Sequence, residues 1–332
     1  MHPFTYERAA DPEAAIAAVA ADPGAAWIAG GTELVNWLKE GIATPSRLVD
    51  LTGLRGLDRV EASATGLRIG ALARLADVAR HEAVVAGYPA IAEALRLSAS
   101  QQLRNMATLG GNLLQRTRCP YFRAETELAC NRRRPGSGCA ALAGEDRTMA
   151  IFGWSESCLA TSPSDVAVAL AALDAVVHVR GRGGERTVPL VDLHRLPGDA
   201  PERETVLERD ELITAIEVPA SPVAARSRYL KVRERASYEF ALVSAAVAVD
   251  LDGSGVIRDA RVALGGVAAK PWRLPAAERA LPGTNVGDAA ALGAAVAGAF
   301  AEARPRRHNG FKVELARRAV VRALQAAGGI DG

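Results

Sequence analysis

All four cysteines of this chain, Cys119, Cys130, Cys139 and Cys158, fall inside one window of 40 residues out of 332. From 115 to 157 no hydrophobic period is sustained, and arginine, glycine and proline dominate. A structureless stretch of that length is uncommon in a compact domain and usually serves a function. The chain must therefore fold around an irregular, cysteine-bearing insertion. The spacing is C-x10-C-x8-C-x18-C, without a close pair and without histidine between the first and last. Zinc ribbons and knuckles favour tight C-x2-C pairs. Two disulfides would need an oxidising compartment. Four thiolates on an iron-sulfur cluster tolerate irregular spacing, because the loop wraps the cluster. Spacing alone leaves all three open. Six arginines crowd the first half of the stretch: Arg116, Arg118, Arg123, Arg132, Arg133 and Arg134. They would favour thiolates and offset an anionic cluster, or simply form a solvated basic loop.

Regular patterns flank the insertion. Asp11 as N-cap and Pro12 at the first helical position open a helix to about residue 21. An apolar strand over 25–29 runs into Gly30-Gly31-Thr32-Glu33, a helical pattern over 34–39 and a strand over 47–51, the order of an α/β unit. A strand over 67–72 and helices over 75–81 and 90–97 lead to a second glycine pair in Thr108-Leu109-Gly110-Gly111-Asn112. Beyond the insertion come a helix over 165–173 and strands over 175–180 and 187–190. The segments 243–251 and 256–267, joined by Asp252-Gly253-Ser254-Gly255, predict an antiparallel hairpin. Helices near 274–281, 288–303 and 311–326 close the chain, and a domain boundary is expected near 219–225.

Forty Lys and Arg against 38 Asp and Glu leave a formal charge of +2. That supplies no overall field for nucleic acid or an anionic membrane. The longest nearly unbroken apolar run, 289–301, has 13 residues, short of the ~18 that suggest a membrane span. The start, Met1-His2-Pro3-Phe4-Thr5-Tyr6-Glu7, lacks the pattern of an export signal. By its own signals the protein is expected in the cytoplasm, with co-export on a partner's twin-arginine signal as the route to the periplasm.

Phosphate oxygens need several amide N–H groups aimed at one point, and paired glycines remove the Cβ that would block their approach. No G-x-G-x-x-G opens a crossover helix and no G-x-x-x-x-G-K-[ST] occurs, so the common dinucleotide and P-loop folds are disfavoured. Three segments in order, Trp27-Ile28-Ala29-Gly30-Gly31-Thr32-Glu33-Leu34, then Arg104-Asn105-Met106-Ala107-Thr108-Leu109-Gly110-Gly111-Asn112, then Ala160-Thr161-Ser162-Pro163-Ser164-Asp165, carry a resemblance. Together they resemble the FAD-binding subunit of the molybdenum hydroxylases, the xanthine dehydrogenase and carbon monoxide dehydrogenase family. Asp210-Glu211-Leu212-Ile213 and Gly265-Gly266-Val267-Ala268 extend the similarity into the second half. Cys119-Pro120-Tyr121-Phe122, Cys130-Asn131, Gly138-Cys139-Ala140-Ala141 and Cys158-Leu159 are similar to the branch formed by FAD subunits of bacterial periplasmic aldehyde oxidoreductases.

The resemblance implies an α+β fold: a two-part FAD-binding domain of the vanillyl-alcohol-oxidase and CO-dehydrogenase flavoprotein type over 1–222, and a smaller C-terminal α+β domain with an antiparallel sheet over 223–332. The first would divide at about 54 and carry the Fe-S insertion over 115–158. It implies FAD, expected to be non-covalent because the Gly30-Gly31-Thr32-Glu33 turn has no histidine, its pyrophosphate on the amides of both glycine turns, with Trp27 to Leu34, Thr32, Thr108, Gly111, Asn112 and Thr161 around it. Asp165 matches an acid near the cofactor, Ile213 and Lys231 fall at the adenine and flavin ends, and Phe240 lies on the loop over the isoalloxazine. Plainer readings make Asp165 a helix N-cap, Lys231 a solvated strand charge and Phe240 core. The same resemblance implies a 4Fe-4S cluster on Cys119, Cys130, Cys139 and Cys158. Substrate oxidation, an aldehyde with water to a carboxylic acid, would then fall to a molybdopterin-containing catalytic subunit beside a 2Fe-2S subunit. This chain would pass the electrons to an external acceptor and hold no catalytic residue for that oxidation. Two rivals are a self-sufficient FAD oxidase or dehydrogenase with structural cysteines, and a non-enzymatic assembly subunit holding zinc.

Overall fold

Alternating burial along a few strands organises the chain, and a computed structural model describes residues 1–330. Strands β1 (Thr5–Arg8), β2 (Ala25–Ile28) and β3 (Arg47–Asp50) form a parallel sheet in the order β1-β3-β2. The helix Pro12–Ala21 connects the first two, with Asp11 capping it by accepting from the Ala14 N–H at 2.7 Å. Between β2 and β3 lie the first glycine pair and the helix Leu34–Lys39, so the expected α/β unit is present.

Strands β4 (Val60–Ser63), β5 (Gly66–Gly70), β6 (Val176–Gly181), β7 (Gly184–Pro189) and β8 (Leu212–Pro219) make an antiparallel sheet in the order β4-β5-β8-β6-β7. Ile216 of β8 stands between Ile69 and Val177 of its neighbours. The largest core packs this sheet against the helices Pro89–Leu97 and Asp165–Ala172. Every residue of the latter is buried, and half of them are alanine, which lets helix and sheet approach closely.

Strands β9 (Ser227–Val232), β10 (Val243–Leu251), β11 (Ile257–Gly265) and β12 (Trp272–Arg273) form a second antiparallel sheet, ordered β12-β11-β10-β9. The predicted hairpin is β10 and β11, with Val247 opposite Val262. Because side chains alternate across a strand, β10 serves two cores: Ala246 and Ala248 join the first, while Val243, Ala245, Val247 and Val249 join the C-terminal one. The helix Phe311–Ala327 covers that second face. The observed mixture of helices with a small parallel and two antiparallel sheets is the α+β class expected.

Some elements differ from the sequence reading. The helix expected over 75–81 is one turn, Leu75–Val78, and its backbone bends away before Glu82–Gly87. Strands β1, β4 and β8 were not foreseen; β1 and β4 are edge strands with exposed, polar sequence and so lack the apolar alternation on which a strand is recognised. No helix of the described residues is long and apolar enough to cross a membrane.

Lys312, wholly buried at the start of the last helix, ties it to the insertion. Its ammonium donates to the carbonyls of Thr148 at 3.0 Å, Met149 at 3.0 Å and Gly266 at 2.7 Å. Burial, with a smaller push from Arg147, pulls its pKa down to about 7. Between pH 7 and the ordinary lysine value of 10.5 the unfolded chain binds a proton that the folded chain lacks, so unfolding free energy should rise with pH across that window. Below pH 7 both states are protonated and the full burial penalty remains. Urea denaturation at a series of pH values should show this slope in the parent and lose it in Lys312→Met; an unchanged slope in the variant would refute the assignment.

Candidate functional site

The two glycine pairs meet across one cleft, but they are built differently. At the first, Gly31 has φ +70°, a left-handed conformation that costs glycine little and a side chain more. A Cβ on Gly30 would intrude on the Met106 carbonyl, so this turn packs directly on the backbone of 106–107. None of the N–H groups from Gly30 to Glu33 donates to another described group. Four free amides at the mouth of a short helix form a ready acceptor for anionic oxygen. The second pair is the first turn of a helix, Leu109–Leu113, rather than a turn. Thr108 caps it, accepting from the Gly111 N–H at 3.3 Å, while Leu109 and Gly110 donate to the carbonyls of Ala73 and Ala71 at 3.0 and 2.8 Å. Its amides are thus largely engaged, and Gly110 allows the approach to Ala71, where a Cβ would come within 2.9 Å of the alanine methyl.

The cleft between them has a volume of about 560 Å³, in the range of cofactor sites. Trp27, Ile28, Ala29, Gly30, Gly31, Thr32, Glu33, Leu34, Thr108, Gly111, Asn112, Asp165, Ile213 and Phe240 all line it. Thr161 lies instead in an adjoining cavity, which shares Arg118, Pro163, Asp165, Glu239 and Phe240 with the cleft and reaches Cys119. Lys231 lines neither; its ammonium is buried behind Asp165.

Asp165 is not the N-cap of its helix. That role falls to Ser164, which accepts from the Ala167 N–H at 3.2 Å and donates to Asn112 Oδ1 at 2.7 Å, joining the helix to the second glycine pair. The Asp165 carboxylate instead accepts from Ser98 Oγ at 3.0 Å, Tyr229 Oη at 2.5 Å and Lys231 Nζ at 2.8 Å. Lys231 is therefore no solvated strand charge. Burial, reinforced by Asp165, holds the Tyr229 phenol well above its ordinary pKa, so it stays a donor. Phe240 is not core: it is 43% exposed, with the Arg118 guanidinium 4.9 Å above its ring.

Glu33 turns its side chain toward the insertion. It accepts from Arg118 at 2.5 Å, Arg123 at 2.6 Å, the Trp37 indole at 2.9 Å and the Arg116 N–H at 3.3 Å. Behind this clamp Cys119, Cys130, Cys139 and Cys158 line a single small cavity. All four are free thiols, so the two-disulfide arrangement does not form. Burial, with Cys158 and Cys130 nearby, pushes the Cys119 thiol up to about 12, and burial raises Cys139 as well. Thiolates there are costly unless a cation shares the cavity. Among the described residues no three of these sulfurs lie within 4.8 Å of one another; the set that does is Glu145, Asp146 and His308, where Arg306 already stands 3.5 Å from Asp146.

The expectation that six arginines surround the sulfurs is met by Arg132 alone, whose Nε–H donates to Cys158 Sγ at 3.2 Å. Arg118 and Arg123 end on Glu33, Arg116 on Glu204, Arg133 on the Ala124 carbonyl and Arg134 on exposed Glu127. For Arg116, Arg118 and Arg123 it is a carboxylate far off in sequence, Glu204 or Glu33, that draws the charge away, which spacing could not reveal.

Sequence reasoning missed several residues of the cleft, among them Ser98, Ala99 and Arg235. Ala99 and Tyr238 have φ of +46° and +51°, two of the three non-glycine residues with positive φ among those described, and both line the cleft. Such backbone strain tends to collect at functional sites. It leaves no mark in composition.

The cleft is walled by the parallel α/β unit, the five-stranded antiparallel sheet and the loop between β9 and β10, and the chain is a flavoprotein subunit that belongs to the FAD-binding subunits of the molybdenum hydroxylases, oxidoreductases of the aldehyde, xanthine and carbon monoxide dehydrogenase type. Residues 2–221 match the FAD binding domain in molybdopterin dehydrogenase, and 228–327 match the CO dehydrogenase flavoprotein C-terminal domain. The chain is 49% identical to the aldehyde oxidoreductase FAD-binding subunit PaoB of Escherichia coli, over 98% of its own length and 99% of that protein. It is 28% identical to the glyceraldehyde dehydrogenase medium chain of Sulfolobus acidocaldarius, over 86% of its length and 83% of the relative. A solved carbon monoxide dehydrogenase from Hydrogenophaga pseudoflava superposes with a TM-score of 0.75 at 25% identity, covering 99% of both chains.

Gly30→Ala tests the first turn. Forcing a methyl group against the Met106 carbonyl should cost about 1–3 kcal/mol and weaken FAD binding by roughly one to two powers of ten. The ratio of flavin to protein absorbance after dialysis reads this directly; parental flavin content would show that the turn does not form the site.

Proposed function

We propose that this chain is the FAD- and 4Fe-4S-carrying electron-transfer subunit of a molybdenum-dependent aldehyde oxidoreductase. Its partners are a molybdopterin-containing catalytic subunit and a 2Fe-2S subunit. The observation that carries the reading is the common wall: four free cysteines enclose one cavity, and Cys119 also borders the space that opens into the glycine-lined cleft. The nearly full-length similarity to an aldehyde oxidoreductase FAD-binding subunit supports the choice of reaction.

The free amides from Gly30 to Glu33 would hold the FAD pyrophosphate, with Thr32, Thr108, Gly111 and Asn112 on the surrounding walls. Ile213 and Leu212 offer an apolar face to the adenine. Phe240 and Tyr238 would cover the isoalloxazine with Thr161 bordering that end, and Asp165, held by Ser98, Tyr229 and Lys231, would face it. The donor set of the second cavity is sulfur throughout, and its spread suits a cluster better than zinc. A tetrahedral ion with bonds of ~2.3 Å would draw its sulfurs to within roughly 4 Å of each other, whereas no three of these lie within 4.8 Å. Flavin and cluster together supply exchange between electron pairs and single electrons, so such a chain can link one-electron centres on its partners to a two-electron acceptor.

The test is the visible spectrum of the purified complex before and after dithionite, with flavin and metal quantified for this subunit. About one FAD and about four irons per chain, and broad absorbance that bleaches, are expected. Cys139→Ser should lower the iron while FAD is retained. Unchanged iron in that variant, or zinc in place of iron in the parent, would overturn the cluster; full FAD without iron would favour a lone flavoenzyme.

A further inference from the structure

Arg132 occupies a position that a mere solvated charge could not. Its side chain is 5% exposed, its Nε–H reaches Cys158 Sγ at 3.2 Å, and its Nη1 pairs with Glu204. Glu204 also receives Nε–H of Arg116. Arg116 closes the ring by donating from Nη2 to the main-chain carbonyl of Arg132 at 3.3 Å. Two guanidinium groups thus share one carboxylate, leaving a net charge of +1 in a sheltered triad that touches sulfur through one oriented N–H. The outer arginine is itself fixed, lying 4.5 Å from the Phe122 ring and 5.6 Å from Trp37, and Trp37 lines the flavin cleft.

An iron-sulfur cluster held by four thiolates becomes more negative when it is reduced, and hydrogen bonds to its sulfurs are among the factors that set its potential. A donor N–H and a net positive charge at one ligand stabilise the reduced form and raise the potential. We propose that Arg132 is a positioning residue that sets the reduction potential of the cluster through Cys158, and that Glu204 determines how much of its charge the sulfur feels. The proposal rests on the cluster reading above. Arginine suits the task where lysine would not, because one planar fork supplies Nε to the sulfur and Nη1 to the carboxylate at once.

The experiment is a redox titration of the assembled complex, following the reduced cluster by electron paramagnetic resonance and the flavin by absorbance. Arg132→Gln removes the charge and should lower the cluster midpoint. Glu204→Gln unmasks both arginines and should raise it. The flavin midpoint serves as the internal reference and should move much less than the cluster's. Opposite shifts with full iron content support the tuning role, since a purely structural role gives no reason for opposite signs. Full iron with both midpoints unmoved, or moved the same way, overturns the proposal and leaves the cluster intact. A parent complex with no iron beyond that of its 2Fe-2S subunit overturns the cluster reading and this one with it. Should Arg132→Gln lose iron, Glu204→Gln decides alone, because it leaves the donor to Cys158 in place: an upward shift sustains the role and no shift ends it.

Discussion

The Glu33 carboxylate is where the two halves of the functional site are fastened together. Its backbone completes the turn whose amides face the cleft, and its side chain collects the Trp37 indole of the adjoining helix together with two guanidinium groups and a main-chain amide from the segment on either side of the first cysteine. The carboxylate and Arg123 are 14% and 13% exposed, so neither charge is left to water. Removing one partner from a sheltered pair of this kind typically costs about 3–5 kcal/mol, because the other is stranded. The irregular insertion, which has little regular structure of its own, takes its place against the cleft through this contact and through the grip of Lys312 on its far end.

Placement matters because the cleft and the cysteine cavity are walled in part by the same segments. The cleft borrows Arg118 from the insertion for one wall, and the cysteine cavity shares residues with the space opening off that cleft. The chain therefore builds neither site as an independent module. Asp165 shows the same economy: the network that buries it draws on Ser98 beside a strained backbone, on β9 through Tyr229 and Lys231, and on the helix that Ser164 ties to Asn112.

Local chemistry made much of this legible. The cap at Asp11, the glycine pair after β2, the two-residue period of β10 and β11 and the aperiodic cysteine stretch each declare themselves in a few neighbouring residues. Recognition of ordered motifs then carried most of the cleft. What stayed hidden depends on residues far apart in sequence. Nothing near Arg118 or Arg123 signals that Glu33 will receive them, and nothing near Arg132 signals Glu204. The difference between the two glycine pairs was hidden for the same reason, since the amides of the second are claimed by the carbonyls of Ala71 and Ala73, more than thirty positions away. The plainer reading of Lys231 as a solvated strand charge stayed open because alternation cannot distinguish a solvated cation from one whose counter-ion sits on another element.

The wholly buried helix Asp165–Ala172 has a consequence for how this protein can change over evolutionary time. A helix with one exposed face can drift there at little cost, but this one has no such face. Its alanines set the spacing between the five-stranded sheet and the strand that serves both cores, so adding even a methylene group on any side would push apart layers that also define the cleft. Variation in relatives of this chain should accordingly collect in the exposed edge strands and the surface of the insertion, while this segment stays small and apolar behind its single acid.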